Sequence, residues 1–173
     1  MIIKIIGSVL TILSFTALGF YFSNELKLRL SQMRELKKNI MILRGDIRYG
    51  GTPLPEALAS LAHRSAGAFH DFFENTAEKL SDGEGGTFSE IWGSCVDKEL
   101  KNTSLKEQDK DQLIRLGENL GFLDQEMQLN TIDLYLNLLE EEIKEQAENV
   151  KERTRIYNML GFMAGLFITI IIL

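Results

Sequence analysis

The chain is predicted to be an all-α protein, a bundle of about six helices between two terminal transmembrane helices. Three observations predict this. Apolar residues recur three or four positions apart through the middle of the chain, with no convincing run of alternation. The stretches Ile5–Phe22 and Ile156–Leu173 each run about 18 residues without an acid or base, near the lower limit for a helix crossing a hydrocarbon core of roughly 30 Å. Every Asp and Glu, and every Lys and Arg except Lys4, falls between Ser23 and Arg155. The expected organisation is a transmembrane helix over 1–22, a cytoplasmic helical domain over 23–155 and a transmembrane helix over 156–173.

The first helix is expected to leave the membrane without a break. Leu26, Leu30, Met33, Leu36, Ile40, Leu43 and Ile47 form its seam, and Gly50-Gly51 ends it. Thr52 is expected to cap the second helix, with Pro53 in its first turn, where a missing N–H costs nothing. That helix buries Leu54, Ala57, Leu58, Leu61 and Ala62, and Gly67 separates it from a third carrying Phe69, Phe72, Phe73, Ala77 and Leu80. Residues 81–86 read as a loop. Thr87 caps the fourth helix (Phe88, Ile91, Trp92, Cys95). Ser104 and Glu107 have capping-box spacing before the fifth (Leu113, Leu116, Leu120), which stops near Gly121. The sixth starts around Asp124 and runs on towards the second span.

Orientation follows from the basic residues at the inner ends of the spans: Lys27, Arg29, Arg34, Lys37 and Lys38 after the first, and Lys144, Lys151, Arg153 and Arg155 before the second. Only Lys4 and the α-amine lie outside, so the positive-inside rule places both termini extracytoplasmic and the domain in the cytoplasm. A cleaved signal peptide, with Ala17-Leu18-Gly19 as the cleavage site, is the competing reading. A single Lys in the n-region, a long apolar stretch and the basic sequence that follows argue against it.

Without Lys4 the middle holds 18 basic and 25 acidic residues, a net −7 that repels phosphate backbones and disfavours nucleic acid. One cysteine, Cys95, allows no internal disulfide or cysteine zinc site and reads as a buried thiol. There is no G-x-x-x-x-G-K-[ST] phosphate loop. His63 and His70 read as surface or boundary residues, and Glu140-Glu141-Glu142, Glu145 and Glu148 as a solvated helix face. No catalytic residue, cofactor or metal is therefore expected. The first and sixth helices differ in charge: 23–48 carries seven basic and three acidic side chains, 124–155 four and nine. They suit antiparallel packing, although exposed pairs add only about 0.2–1 kcal/mol each.

In the second span Gly161 and Gly165 form a GxxxG, and Gly7, Thr11 and Ser14 make a small-residue face on the first; small residues let membrane helices approach closely. In Leu116-Gly117-Glu118-Asn119-Leu120-Gly121, Gly121 reads as a helix end and Gly117 as a close-packing point. Glu118, between two glycines near a turn, is the first candidate for partner contact. Gly117, Gly121 and the acidic Glu141 and Glu145 join it, while Thr52 and Pro53 are expected to fix a turn.

Gly51-Thr52-Pro53-Leu54-Pro55-Glu56-Ala57-Leu58 resembles the G-x-P-L-x-x-A-L stretch of the inner-membrane platform proteins of type II secretion and type IV pilus machines. Gly117-Glu118-Asn119-Leu120-Gly121 resembles their Gly-Glu-x-x-Gly element, and order and separation also match. From end to end the chain more closely resembles the stage III sporulation protein AB family of endospore-forming bacteria. Both terminal spans, Tyr49-Gly50-Gly51-Thr52-Pro53-Leu54 and Leu116 to Gly121 fit that family. The resemblance implies a non-enzymatic platform in a channel complex linking mother cell and forespore, seated in the outer forespore membrane. Its implied partners are the other channel subunits and a cytoplasmic secretion-type ATPase resembling stage III sporulation protein AA. Full platform proteins hold two copies of the domain and three spans; this chain has one copy and two spans, so a platform requires homo-oligomers or other subunits. The rival reading, a dimeric membrane sensor, calls for longer heptads and a signalling domain, which the sequence does not display.

Overall fold

A computed structural model describes residues 2–83, 86–121 and 124–172. Among them are six helices: α1 (Ile2–Gly50), α2 (Leu54–Ala62), α3 (Gly67–Asp82), α4 (Phe88–Glu99), α5 (Glu107–Leu120) and α6 (Gln125–Ile172). No strand occurs among the described residues, so the all-α expectation holds. The chain forms two compact units, one of residues up to Leu30 with those from Lys144, the other Ser31–Ile143.

In the first unit the N-terminal part of α1, from Gly7, is apolar enough to cross a membrane by length and composition. The second expected span, 156–173, ends in residues whose side chains lie outside the described ones. The two helices touch backbone to backbone at their glycines. A Cβ on Gly161 would come 2.6 Å from the Phe15 carbonyl oxygen, one on Gly165 2.9 Å from Ile12 Cα, and one on Gly19 2.7 Å from the Tyr157 carbonyl oxygen. Gly161 and Gly165 thus pack within one chain, as small residues do between membrane helices. Their counterpart on α1 is not the small-residue face of Gly7, Thr11 and Ser14. Gly7 and Ser14 are exposed, and the hydroxyls of Thr11 and Ser14 return to carbonyls of their own helix at 2.9 Å. Ile12, Phe15 and Gly19 take the contact, one residue round the wheel.

The core of the second unit is built largely from the apolar faces read from the sequence; of the α1 seam, Leu26 and Leu30 fall in the other unit, and Leu26 is only half-buried. Met33, Leu36, Ile40, Leu43 and Ile47 of α1 meet Leu58 and Leu61 of α2, Phe69, Phe72 and Phe73 of α3, Trp92 of α4, and Leu113, Leu116 and Leu120 of α5. Cys95 is buried, as expected. From α6 come Ile132, Tyr135 and Leu139. Side chains of this size each contribute about 1.5–3 kcal/mol on full burial, so the faces hold the bundle and the charged seam only tunes it. That seam is present: Arg44 forms a two-point pair with Asp133, its second contact 3.0 Å, and Lys37 meets Glu140 at 3.4 Å, all partly exposed.

Helix ends show where local patterns mislead. Thr87 caps α4 in a full capping box with Glu90. The N-cap of α2 is Pro53, not Thr52, and no side chain caps it; its carbonyl accepts from the Ala57 N–H at 3.0 Å. Ser104 does not cap α5 either. The helix starts two residues later, where Asp109 accepts the Lys106 N–H at 2.8 Å; lysine has no acceptor to return, so the box is half made. The loop after α3 also begins later than expected, at Gly83 in the left-handed conformation (φ 66°), and Glu84 and Gly85 lie outside the described residues. Gly51 (φ 55°) ends α1 in the same way.

The C-terminus of α2 is closed from a distance. His70 places Nδ1 2.8 Å from the Ala62 carbonyl oxygen and Nε2 3.2 Å from Glu74. Both neighbours are acceptors, so they favour the doubly protonated ring; the Ala62 carbonyl leads in raising the His70 pKa, with Glu74 and Asp71 adding. The folded pKa therefore lies above the unfolded value of about 6.5. The contribution is complete below pH of about 6.5 and is lost as pH rises through the raised folded value. Accordingly, urea unfolding followed by Trp92 fluorescence should show that His70→Gln lowers stability at pH 5.5 more than at pH 8.5. An equal loss at both values would refute the contact.

Candidate functional site

The two sequence elements singled out by motif meet in space. A groove of about 460 Å³ in the second unit is lined by Gly51, Thr52, Pro53 and Leu54 from the first element and Leu120 and Gly121 from the second, with Ile47, Phe88, Gln125 and Gln128 completing it. Five helix ends make it: the C-termini of α1 and α5 and the N-terminal turns of α2, α4 and α6. Such ends leave backbone groups without intrahelical partners. Here α6 supplies the missing donors. Gln125 Nε2 donates to the Ile47 carbonyl at 2.5 Å, and Gln128 Nε2 to the Leu120 carbonyl at 2.9 Å. One turn of α6 thus caps both neighbouring helices and fixes the groove's width.

The glycines have separate reasons. Gly117 is buried beneath the Trp92 indole; an added Cβ would overlap the ring, 2.5 Å from Cγ and 2.7 Å from Nε1. The close approach lets Trp92 Nε1 donate to the Leu113 carbonyl at 2.8 Å, an oxygen one helical turn before Gly117. Gly121 lies against Phe88, where a Cβ would come 3.2 Å from the Phe88 Cβ. Its φ of −69° is ordinary for any residue, so space rather than backbone freedom selects glycine there. Gly50 is crowded as well: a Cβ would meet Thr52 Oγ1 at 2.5 Å.

The structure thus brings Thr52, Pro53 and Gly121 to one groove and buries Gly117 just behind it. Glu118 is exposed on α5 and does not line the groove. Glu141 is exposed on α6, about 24 Å along the helix from Gln125 at 1.5 Å per residue, and Glu145 is exposed in the other unit. Sequence reading missed Gln125, Gln128, Phe88 and Ile47 as parts of the site. Nothing local marks them, since their roles arise from helix ends that only the fold assembles. The lining carries no ionisable side chain, and no group of three or more His, Cys, Asp or Glu suited to a metal ion occurs among the described residues. What the groove offers is an apolar floor with amide and hydroxyl edges, the chemistry of a side-chain receptor.

Comparison with known proteins adds a lineage to this geometry. The family model for stage III sporulation protein AB matches residues 4–173. The chain belongs to the stage III sporulation protein AB family. It is similar to the "Stage III sporulation protein AB" of Bacillus subtilis (strain 168), with 27% identity over 171 residues, covering 99% of each chain. It is also similar to a solved structure of "Stage III sporulation protein AB (SpoIIIAB)", with a TM-score of 0.64 and 28% identity across 71% of this chain and 96% of that one. The family assigns the chain to sporulation, and the groove is where the two elements that carried the resemblance come together.

Capping by Gln125 is testable alone. Gln125→Met keeps the length of the side chain and removes the donor, so stability should fall by about 0.5–1.5 kcal/mol in urea titrations. Amide exchange should quicken around residues 47–54. Unchanged stability and exchange would show that the bond does not hold the groove.

Proposed function

We propose that this protein is a non-enzymatic membrane platform in a secretion-like channel complex between mother cell and forespore. In this reading it sits in the outer forespore membrane with its central domain in the mother-cell cytoplasm and both termini outside. It organises other channel subunits and couples them to a cytoplasmic secretion-type ATPase. The observation that carries the reading is the convergence of Gly51–Leu54 and Leu120–Gly121 on one groove. Both elements resemble platform-protein motifs, they lie far apart in sequence, and they meet at a groove with an apolar floor. Membership of a sporulation family supports the cellular setting, and an apolar helix from Gly7 supports the membrane one.

A partner that inserts an apolar side chain among Leu54, Phe88 and Leu120 gains the buried anchor typical of protein interfaces. Glu118, exposed on the helix that leads into the groove, would then meet the partner's edge. On a bare surface, Thr52→Arg and Glu118→Lys should each shift stability by about 0.5 kcal/mol or less. At an interface, a reversed charge costs several kcal/mol. The expected result is normal urea unfolding for both variants, loss of ATPase capture from membranes of sporulating cells, and spore yield reduced most by Thr52→Arg. Normal capture and yield from folded variants would contradict the proposal.

A further inference from the structure

Within residues 31–143, α1 and α6 lie side by side and antiparallel. In both ion pairs, Arg44–Asp133 and Lys37–Glu140, the residue numbers add to 177, so residue n of α1 stands level with residue 177 − n of α6. Each helix also turns a row of side chains away from the core. On α1 the row is Arg34, Lys38, Met41, Gly45 and Arg48; on α6 it is Met127, Thr131, Leu134, Leu138 and Glu141. Steps of four and three keep each row in line, as in a coiled-coil seam. The apolar members are open to solvent: Met41 is 54% exposed, Met127 49%, Leu134 62% and Leu138 47%. On each helix the ion-pair residues stand between the buried row and the outward row in the same rotational order, about 70° from each on α1 and about a third of a turn from each on α6. Because the helices are antiparallel, that order puts both outward rows on the same side of the pair.

We propose that this two-helix face is the interface with a second copy of the chain, α1 of each lying on α6 of the other around a two-fold axis parallel to the helices. Such an axis preserves the direction of every helix, the arrangement that two copies inserted alike in one membrane must have. It sets α1 antiparallel to α6 of the second copy, again with n level with 177 − n. Met41 then falls between Leu134 and Leu138 of the second copy. Lys38 falls between Leu138 and Glu141, and Arg34 just beyond Glu141. Gly45, whose missing Cβ faces open space, falls between Thr131 and Leu134 and leaves room for the leucine. Apolar meets apolar and basic meets acidic, and the symmetry repeats every contact. Pairing α1 with α1 would instead crowd Arg34, Lys38 and Arg48 against themselves, a like-charge arrangement that disfavours association. The charge pattern therefore selects one pairing. The interface shares no residue with the groove lining, and it stands whether or not an ATPase docks there.

The test uses two full-length chains with different tags, both carrying Cys95→Ala, produced in the same membrane. One bears Met41→Cys and the other Leu138→Cys. Mild oxidation should yield a mixed-tag disulfide dimer, and Met41→Cys alone should yield none. Glu141→Lys added to both chains should reduce the cross-link about tenfold or more, and Arg34→Glu with Lys38→Glu should restore it to within about twofold, as a swapped charge pair requires. Trp92 fluorescence in urea reports folding of each variant. Absence of the mixed dimer, Met41–Met41 links as strong as the mixed ones, or a cross-link indifferent to Glu141→Lys in folded protein would each overturn the proposal. Should Glu141→Lys fail to fold, the mixed-tag cross-link without it decides.

Discussion

One contact organises the helical unit: the Trp92 indole laid across Gly117 with its N–H on the Leu113 carbonyl. Tryptophan is the largest side chain in the core and is fully buried, so its single polar atom must find a partner or carry a desolvation cost of about 1–3 kcal/mol. The partner is a backbone oxygen already inside a helix, reachable only where that helix lacks a Cβ. α4 and α5 are fixed relative to one another by this requirement. Phe72 and Phe88 then stack around the same ring, their centroids 4.8 Å and 5.5 Å away. Phe88 in turn packs on Gly121 and walls the groove, so the position of the candidate site follows from where the indole sits.

The groove itself rests on helix ends rather than on helix faces. Gln125 and Gln128 satisfy carbonyls at the ends of two other helices, which makes the first turn of α6 a clasp as well as a start. Glycine at 50 and 51 lets α1 stop and the chain turn back within three residues of α2. Walls held in this way keep the groove's shape fixed, and pre-formation lowers the ordering cost of any binding there. That property is one the proposed platform role requires.

Much of the fold was legible because burial obeys helical periodicity. The apolar faces named from Met33 of α1 to Leu120 of α5 reached the core, while Leu26 and Leu30 of the same seam lie in the other unit, and Gly117 was readable as a close-packing point. Its partner was not, because Trp92 and Gly117 are joined only by tertiary packing. Caps were legible where one pattern stood alone, as at Thr87, and misread where a proline or a competing carboxylate shifted the start, as at Pro53 and Asp109. The groove was half legible: the motif residues were visible, while Ile47, Phe88 and the two glutamines gain their roles only once five helix ends converge. Leu134 and Leu138 were visible as apolar residues, but their outward direction depends on which face α6 turns to the core, and Ile132, Tyr135 and Leu139 decide that.

The dependence on the indole is measured most directly by a double-mutant cycle between Trp92→Leu and Gly117→Ala, with urea unfolding followed by circular dichroism. With tryptophan present, the added methyl should cost about 1–3 kcal/mol, because it forces the ring off its carbonyl. With leucine at 92 most of that cost should vanish, giving a coupling energy above about 1 kcal/mol. Costs that add to within about 0.5 kcal/mol would contradict the account, since residues that do not share a contact behave additively.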